Sequence, residues 1–404
     1  MRLVHLSDLH LGFRQYQRQT PAGINQREAD VAQAFARAVD RLVALAPDLI
    51  VIGGDVFHTV RPTNTTILHA FRQFGRLVDA LPATPIVIAA GNHDMPRSTE
   101  TICLLRLFEQ GFAPRADGTP PILVADREAR RFRFPQLDCS VLAVPDLPPG
   151  SVDLAPDPAS RHNVLVLHGE VQGALPAADA PERAALQIPV AAVTRPGWDY
   201  VALGHYHVCT RVADHVWYSG SLEYTSTNPW GELAEERRAG LAGKGMIERD
   251  LRTGAHTIHP LSTTRPVLDL PPVAGAGLDA AALDARIAMA VEAIPGGIDG
   301  KVVRLVVRDV PRHIARELDH KSLRDLQRRA LHFHLDVRRP EAQRRAGSGA
   351  PGRRPSLTET LREALRTRAL PEGISREALM ALGLQYLDAA EQQESARLLP
   401  EGEG

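Results

Sequence analysis

Seven side chains able to bind a metal ion recur in five short pieces of the chain: Asp8 and His10 in DLH, Asp55 in GGDVFH, Asn92 in GNHD, His168 in LHGE, and His205 and His207 in GHYH. A single DxH or HxH says little, because an isolated histidine is usually structural or exposed. Here each piece closes an apolar run of the β-strand type, and loops at the carboxyl ends of strands in an α/β sheet converge on one crevice. Oxygen and nitrogen donors in this number can hold two divalent cations. Imidazole mixed with carboxylate favours Mn, Fe or Zn over Ca or Mg, whose preferred shells are all oxygen. One carboxylate has to bridge, and Asp55 is the natural candidate because it lies between the two ligand sets. Gly53 and Gly54 before it leave room for cations close to the backbone.

Two cations about 3.5–4 Å apart can activate a water and clamp the oxygens of a phosphoryl group during in-line displacement. The chemistry indicated is therefore hydrolysis of a phosphoester. Its leaving oxygen needs a proton, and His93 is adjacent to Asn92 without being needed as a ligand. It is placed to supply that proton or to stabilise the transferring phosphoryl charge. Other polar residues nearby read as support. His5, inside the first apolar run, is a packed core histidine, Asp94 and Glu170 fix backbone or orient a ligand ring, and Ser219, Gly220 and Ser221 form a small-residue turn.

The elements that must position these groups are legible as a βαβαβ order. Leu3–Leu6, Leu49–Gly53 and Ile86–Ala90 read as strands, the latter two as continuous apolar runs covered on both faces. Arg27–Ala46 and Thr65–Ala80 carry helical periodicity. Further strands are expected at Ile122–Ala125, Arg131–Phe134, Cys139–Val144, Val164–His168, Tyr200–Gly204, Val216–Ser219 and Met246–Asp250. Helices are sparse in this half, which suits a second sheet packed on the first. Beyond a shift near Thr263–Pro272, helices at Leu278–Ile294 and Leu318–Ala330 alternate with strands at Lys301–Val310 and His332–Val337. Next comes a stretch rich in Arg, Gly, Pro and Ala, read as a mobile basic linker over 341–355. Two short helices, split at Pro371–Gly373, close the chain.

Composition bounds what such a site can be asked to do. The 404 residues carry a net charge of -1, with 44% hydrophobic and 24% charged residues, so no global field draws the chain to nucleic acid or membrane. Any nucleic-acid contact has to come from a local basic patch or from the cations. Cys103, Cys139 and Cys209 follow no zinc or redox spacing and read as reduced thiols. No apolar run approaches the roughly 20 residues needed to cross a bilayer. The opening MRLVHLSDLHLG reads as a strand and not an export signal, so a cytoplasmic location without membrane attachment is expected.

The five pieces resemble those of the calcineurin-like metallophosphoesterase superfamily. The resemblance implies that Asp8, His10, Asp55 and His207 hold one cation and that Asp55, Asn92, His168 and His205 hold the other, with His93 as the catalytic histidine. VHLSDLHLG, GGDVFHTVRPT, AAGNHD and YVALGHYH followed by YSGSLEYTS are further similar to the SbcD-type nuclease subunit of DNA double-strand-break repair. That similarity implies a four-layer α/β/β/α sandwich over residues 1–262, a small α/β domain capping DNA over 265–340, and a C-terminal helical segment over 356–399. It also makes His58 a second active-site histidine that helps to position DNA or phosphate.

Implied with it are two divalent cations, Mn first and Fe, Zn or Mg next. The implied partners are DNA and an SbcC-like coiled-coil ABC ATPase. The last helices offer apolar faces (Leu357, Leu361 and Leu365, then Leu379, Leu382, Leu384 and Leu387) that would dock such an ATPase, pack on their own domain or form a homodimer. Asn228–Gly243 is expected to be a Glu- and Arg-rich solvated loop, with DNA contact through Arg237 and Arg238 as the alternative. The whole then reads as a DNA exo- and endonuclease. Its rivals are a phosphoesterase of a small phosphoester, cyclic nucleotide or phosphoprotein, and a scaffold that tethers DNA ends.

Overall fold

The computed structural model describes residues 1–96, 98, 101–147, 152–174, 186–340, 356–367 and 374–398. Residues 1–340 make one compact unit and 341–404 a second. In the first unit, α1 (Gln26–Leu45) separates strands β1 (Arg2–Leu6) and β2 (Leu49–Ile52). Helix α2 (Asn64–Ala80) leads to β3 (Ile86–Ala89), and the short α3 (Arg106–Gln110) to β4 (Ile122–Ala125). Then come β5 (Arg130–Phe134), β6 (Cys139–Val144), β7 (His162–His168), β8 (Glu170–Gln172) and β9 (Gln187–Pro189). The one-turn α4 (Val190–Val193) precedes β10 (Tyr200–Gly204), β11 (Thr210–Ala213) and β12 (Val216–Tyr218). Helix α5 (Pro229–Arg238), β13 (Gly245–Asp250) and β14 (His256–Pro260) complete this part.

Two six-stranded sheets result, in the orders β14-β13-β1-β2-β3-β4 and β11-β12-β10-β7-β6-β5. β1 to β4 are parallel in the first sheet, as are β6, β7, β10 and β12 in the second. Strands buried on both faces read as unbroken apolar runs, and alternate residues of each run serve different cores. Val4, Leu6, Ile50, Ile52 and Ile88 pack under Val31, Phe35, Ala38 and Leu42 of α1 and Ala70, Phe74 and Leu77 of α2. Leu3, Val51 and Val87 point the other way, onto Val141, Val164, Val166, Tyr200 and Ala202 of the second sheet. His5 belongs to this middle layer. Its Nδ1 lies 3.0 Å from Tyr200 Oη, and burial lowers its pKa to about 3, which makes it a neutral core residue.

Capping sharpens the helices. Asn25 accepts from the N–H groups of Arg27 and Glu28 to start α1, which ends at Ala46 in the left-handed region before Pro47. Thr63 caps α2 through Thr66 N–H. On the outer face of the second sheet the cover formed by the described residues is irregular. Val171, Ile188, Val193, Trp198 and Tyr206, from short segments, pack on Leu165, Leu167, Val201 and Leu203.

The rest of the first unit is β15 (Val267–Ala274), α6 (Ala280–Glu292), β16 (Val302–Arg308), α7 (Arg312–Glu317), α8 (His320–Arg329) and β17 (His332–Val337). They form a three-stranded parallel sheet with its own core of Leu283, Ile287, Val303, Leu305, Val307 and Phe333. β15 replaces the break expected near Thr263–Pro272. Pro271 and Pro272 masked it, and the chain tolerates them because β15 is an edge strand whose register slips between Leu270 and Val273.

In the second unit, α9 (Leu357–Thr367) and α10 (Arg376–Leu398) meet where Leu361 and Leu365 close on Gly383. The 341–355 stretch and Pro371–Gly373 lie outside the described residues. Among the described residues no helix is long and apolar enough to cross a membrane. Cys103 and Cys139 are buried free thiols and Cys209 a half-buried one; burial pushes all three up to about 12.

Candidate metal centre

The loops after β1 and β2 are stitched together by their own backbones. Asp8 N–H donates to Gly54 O, His10 N–H to Asp55 O, Leu11 N–H to Val56 O, and His58 N–H back to Leu11 O. This ladder continues the β1–β2 pairing past the strand ends, but with the chain turned so that side chains crowd inward. Asp8 (φ 53°), His10 (φ 45°), Asp55 (φ 49°) and His205 (φ 105°) all sit at positive φ. Such conformations cost non-glycine residues about 1–3 kcal/mol each, and they concentrate where function requires them. Four of the seven ligand candidates lie among the eight non-glycine residues with positive φ found among the described residues.

The loop after β3 closes against the same point. Asp94 accepts from Val56 N–H, Phe57 N–H and Gly91 N–H, which ties the second and third loops together. Its expected role in fixing backbone is thus visible. Burial, with the Asp55 charge beside it, pushes this carboxyl up to about 7 against the pull of those three donors. Asp55 Oδ1 accepts from His93 N–H at 2.9 Å. A Cβ on Gly91 would collide with Asp55 Oδ1 and one on Gly54 would stand 2.5 Å from His168 Nδ1, so glycine is required at both.

The second sheet supplies its histidines across the interface. His168 Nδ1–H donates to Gly53 O at 2.7 Å, which turns Nε2 to within 2.9 Å of Asn92 Oδ1. His205 N–H donates to Asp8 Oδ1 at 3.0 Å, and the ring of His205 stands edge-on to that of His168 at 5.4 Å. His207 Nε2 comes to 3.0 Å from His10 Nε2. Asp55 Oδ2 is 3.6 Å from His10 Nε2 on one side and 3.6 Å from His168 Nε2 on the other. His93 lies beside His10, ring centroids 4.9 Å apart, and stacks with His58 at 5.2 Å. His93 Nδ1–H donates to His58 O at 2.8 Å. All nine residues singled out in the sequence therefore occupy one cleft.

Charge in the cleft is densely packed. Asp8, His10, Asp55 and His168 are buried. Burial raises the Asp8 carboxyl, and burial with the four neighbouring imidazoles of His207, His93, His58 and His168 drives His10 well below its usual range. Burial pulls on His168 as well, but Asp55 and Asp8 outweigh it and its pKa is raised. The donor set fits divalent cations. Asp8, His10 and His207 present ligand atoms within 4.8 Å of one another, and so do Asp8, Asp55 and His168. Imidazole nitrogens that face each other at 3.0 Å suit a cation that takes a lone pair from each.

Two supports were not legible in the sequence. Ser7 Oγ donates to Asp8 Oδ2 at 2.5 Å and contacts Ser219 Oγ at 2.8 Å, so the small-residue turn reaches the ligand candidate Asp8 through Ser7. The other corrects an expectation. Asn228–Gly243 is not a solvated loop, because it contains α5, whose Trp230, Glu232 and Glu236 are buried while Arg237 and Arg238 are exposed. Glu232 Oε1 lies 3.6 Å from His207 Nδ1. A high density of Glu and Arg hid this helix; the signal available was Asn228-Pro229, a capping residue followed by proline.

The calcineurin-like phosphoesterase family model matches residues 1–209, the span holding all seven ligand candidates. The chain belongs to that family. Within it the chain is similar to proteins named DNA double-strand break repair protein Mre11. The one from Sulfolobus acidocaldarius is 28% identical over 213 residues, 51% of this chain and 50% of the relative. That from Methanocaldococcus jannaschii is 26% identical over 260 residues, 61% of each. A third, from Methanococcus maripaludis, is 32% identical over 100 residues, a quarter of each. The chain thus spans between a quarter and three-fifths of the length of these relatives.

Proposed function

We propose that this phosphoesterase is a metal-dependent nuclease that hydrolyses phosphodiester bonds of DNA. The observation that carries the reading is the place of Asp55, whose Oδ2 stands 3.6 Å from both His10 and His168, between two sets of donors. In this assignment Asp8, His10, Asp55 and His207 hold one cation, and Asp55, Asn92, His168 and His205 hold the other. Manganese suits this donor set, with Fe, Zn or Mg as substitutes. When bound, the pair supplies Lewis acidity and an activated water. The chain's own contribution is orientation and proton transfer. His93, with Nδ1 committed to the His58 carbonyl, delivers a proton from Nε2 to the leaving oxygen. His58, stacked on it, holds that ring in place and faces the phosphate.

DNA as substrate is supported by the names of the similar proteins and by parts a small-ester hydrolase has no use for. We assign residues 1–262 to the nuclease, 265–340 to a domain that covers the DNA, and 356–399 to docking of a coiled-coil ABC ATPase. Leu382 and Tyr386 of α10 are exposed, as that last role needs. The test is to supply Mn with linear duplex DNA and, separately, with bis(p-nitrophenyl) phosphate. Cleavage of both is expected. Hydrolysis of the small ester with none of DNA, even with the ATPase present, would overturn the nuclease reading.

A further inference from the structure

Behind His207 the chain buries charges that the reaction just proposed does not use. Glu232 and Glu236, one turn apart on α5, both face inward onto Lys244, and all three side chains are almost fully buried. Lys244 Nζ contacts Glu232 closely, lies 3.0 Å from Glu236 Oε1 and donates to His207 O at 2.8 Å. Its ammonium also sits 4.6 Å over the Tyr224 ring, whose hydroxyl donates to Glu236 at 2.6 Å. With the Lys244 ammonium in contact, Glu232 is paired as a carboxylate. Buried ion pairs rarely stabilise more than apolar residues of the same size. The arrangement calls for a reason beyond stability.

The reason is what Glu232 faces. Its Oε1 stands 3.6 Å from His207 Nδ1, within ion-pair reach and a few tenths of an ångström beyond a hydrogen bond. Thr225 Oγ1 is 3.5 Å from the same nitrogen, but a hydroxyl can donate or accept and selects no tautomer. A carboxylate only accepts. It draws the single proton of a neutral imidazole to Nδ1 and leaves the lone pair on Nε2, the atom that faces His10. From its other side α5 is fixed to the three-stranded sheet, where Trp230 packs on His334 and under the Arg304 guanidinium.

We propose that Glu232, held by Lys244, is a positioning residue that fixes the ring and tautomer of His207 and so sets the affinity of the cation His207 binds. The proposal rests on the reading of His207 as a ligand, and its test separates the two. Metal-stripped full-length protein is titrated with Mn²⁺ by calorimetry, as wild type, His207→Ala, Glu232→Gln and Glu236→Gln. Wild type is expected to take two ions and His207→Ala to lose one of them. Glu232→Gln should weaken that same ion by roughly 10–100-fold and spare the other. Glu236→Gln disturbs the same cluster without facing the ring and should match wild type.

Wild-type affinity in Glu232→Gln, with a site still lost in His207→Ala, would overturn the proposal and leave the ligand reading standing. Equal weakening in both Gln variants would overturn it too, as general loosening. Two unaltered sites in His207→Ala would remove the ligand reading and the proposal together. A measurement without variants covers failure of Glu232→Gln to fold. The imidazole ¹⁵N spectrum of metal-free wild type, at mildly alkaline pH, should show His207 as the Nδ1–H tautomer, and the Nε2–H form would overturn the proposal.

Discussion

The first sheet brings Asp8, His10, Asp55 and Asn92 to the cleft, and the second brings His168, His205 and His207. On the first side the backbone does the holding. Its loops are laced to each other by N–H groups, three ligand candidates sit at positive φ, and Asp94 clamps three amides. On the second side polar partners from outside the strand do the holding: Gly53 O accepts from the His168 ring, Glu232 faces the His207 ring, and Asp8 accepts from the backbone N–H of His205. Both carboxylates come from the first side, which also holds three of the four ligand candidates at positive φ. Three of the four imidazoles come from the other, and each of those residues is held by a group that lies outside its own strand. Charge is thus set by rigid loops and fine orientation by neighbours.

The largest effect expected from breaking this comparison is at Asp55, which faces donors of both sheets. Asp55→Ala should lose bound metal and all measurable hydrolysis of bis(p-nitrophenyl) phosphate; elemental analysis and the assay check both. His93→Gln comes next. In the proposed assignment it removes the proton donor and no ligand, so kcat should fall by about 10²–10⁴-fold with metal content unchanged. Equal metal loss in the two variants would contradict this division of roles.

Trp230→Ala probes the second side from behind. Removing a buried indole there should cost roughly 3–5 kcal/mol of stability, seen as a lower midpoint in denaturant. If α5 holds His207 as argued, Mn²⁺ affinity should fall as well, whereas an unchanged affinity would confine Trp230 to packing. The smallest effect belongs to the seam between the two sides. Ser219→Ala removes one hydroxyl contact to Ser7 and should cost about 0.5–1.5 kcal/mol, with turnover nearly intact.

What the sequence reveals follows the same division. The loops that carry the ligand candidates were legible because each follows a largely apolar strand, and period alone located α1 and α2 to within a residue or two. Glu232 and Lys244 were not, since a charged residue buried by its partner looks the same in sequence as one in solvent. β15 was hidden by Pro271 and Pro272, which only an edge position permits. β11 and β14 escaped because short antiparallel edge strands, polar on one side, carry too few apolar residues to stand out.

The central claim is that both sheets together hold two cations, with Asp55 between them. Anomalous diffraction from Mn²⁺-soaked crystals tests it most directly. Two peaks are predicted, one among Asp8, His10, Asp55 and His207 and one among Asp55, Asn92, His168 and His205. A single peak that leaves either set empty, or none within reach of Asp55, would contradict the account.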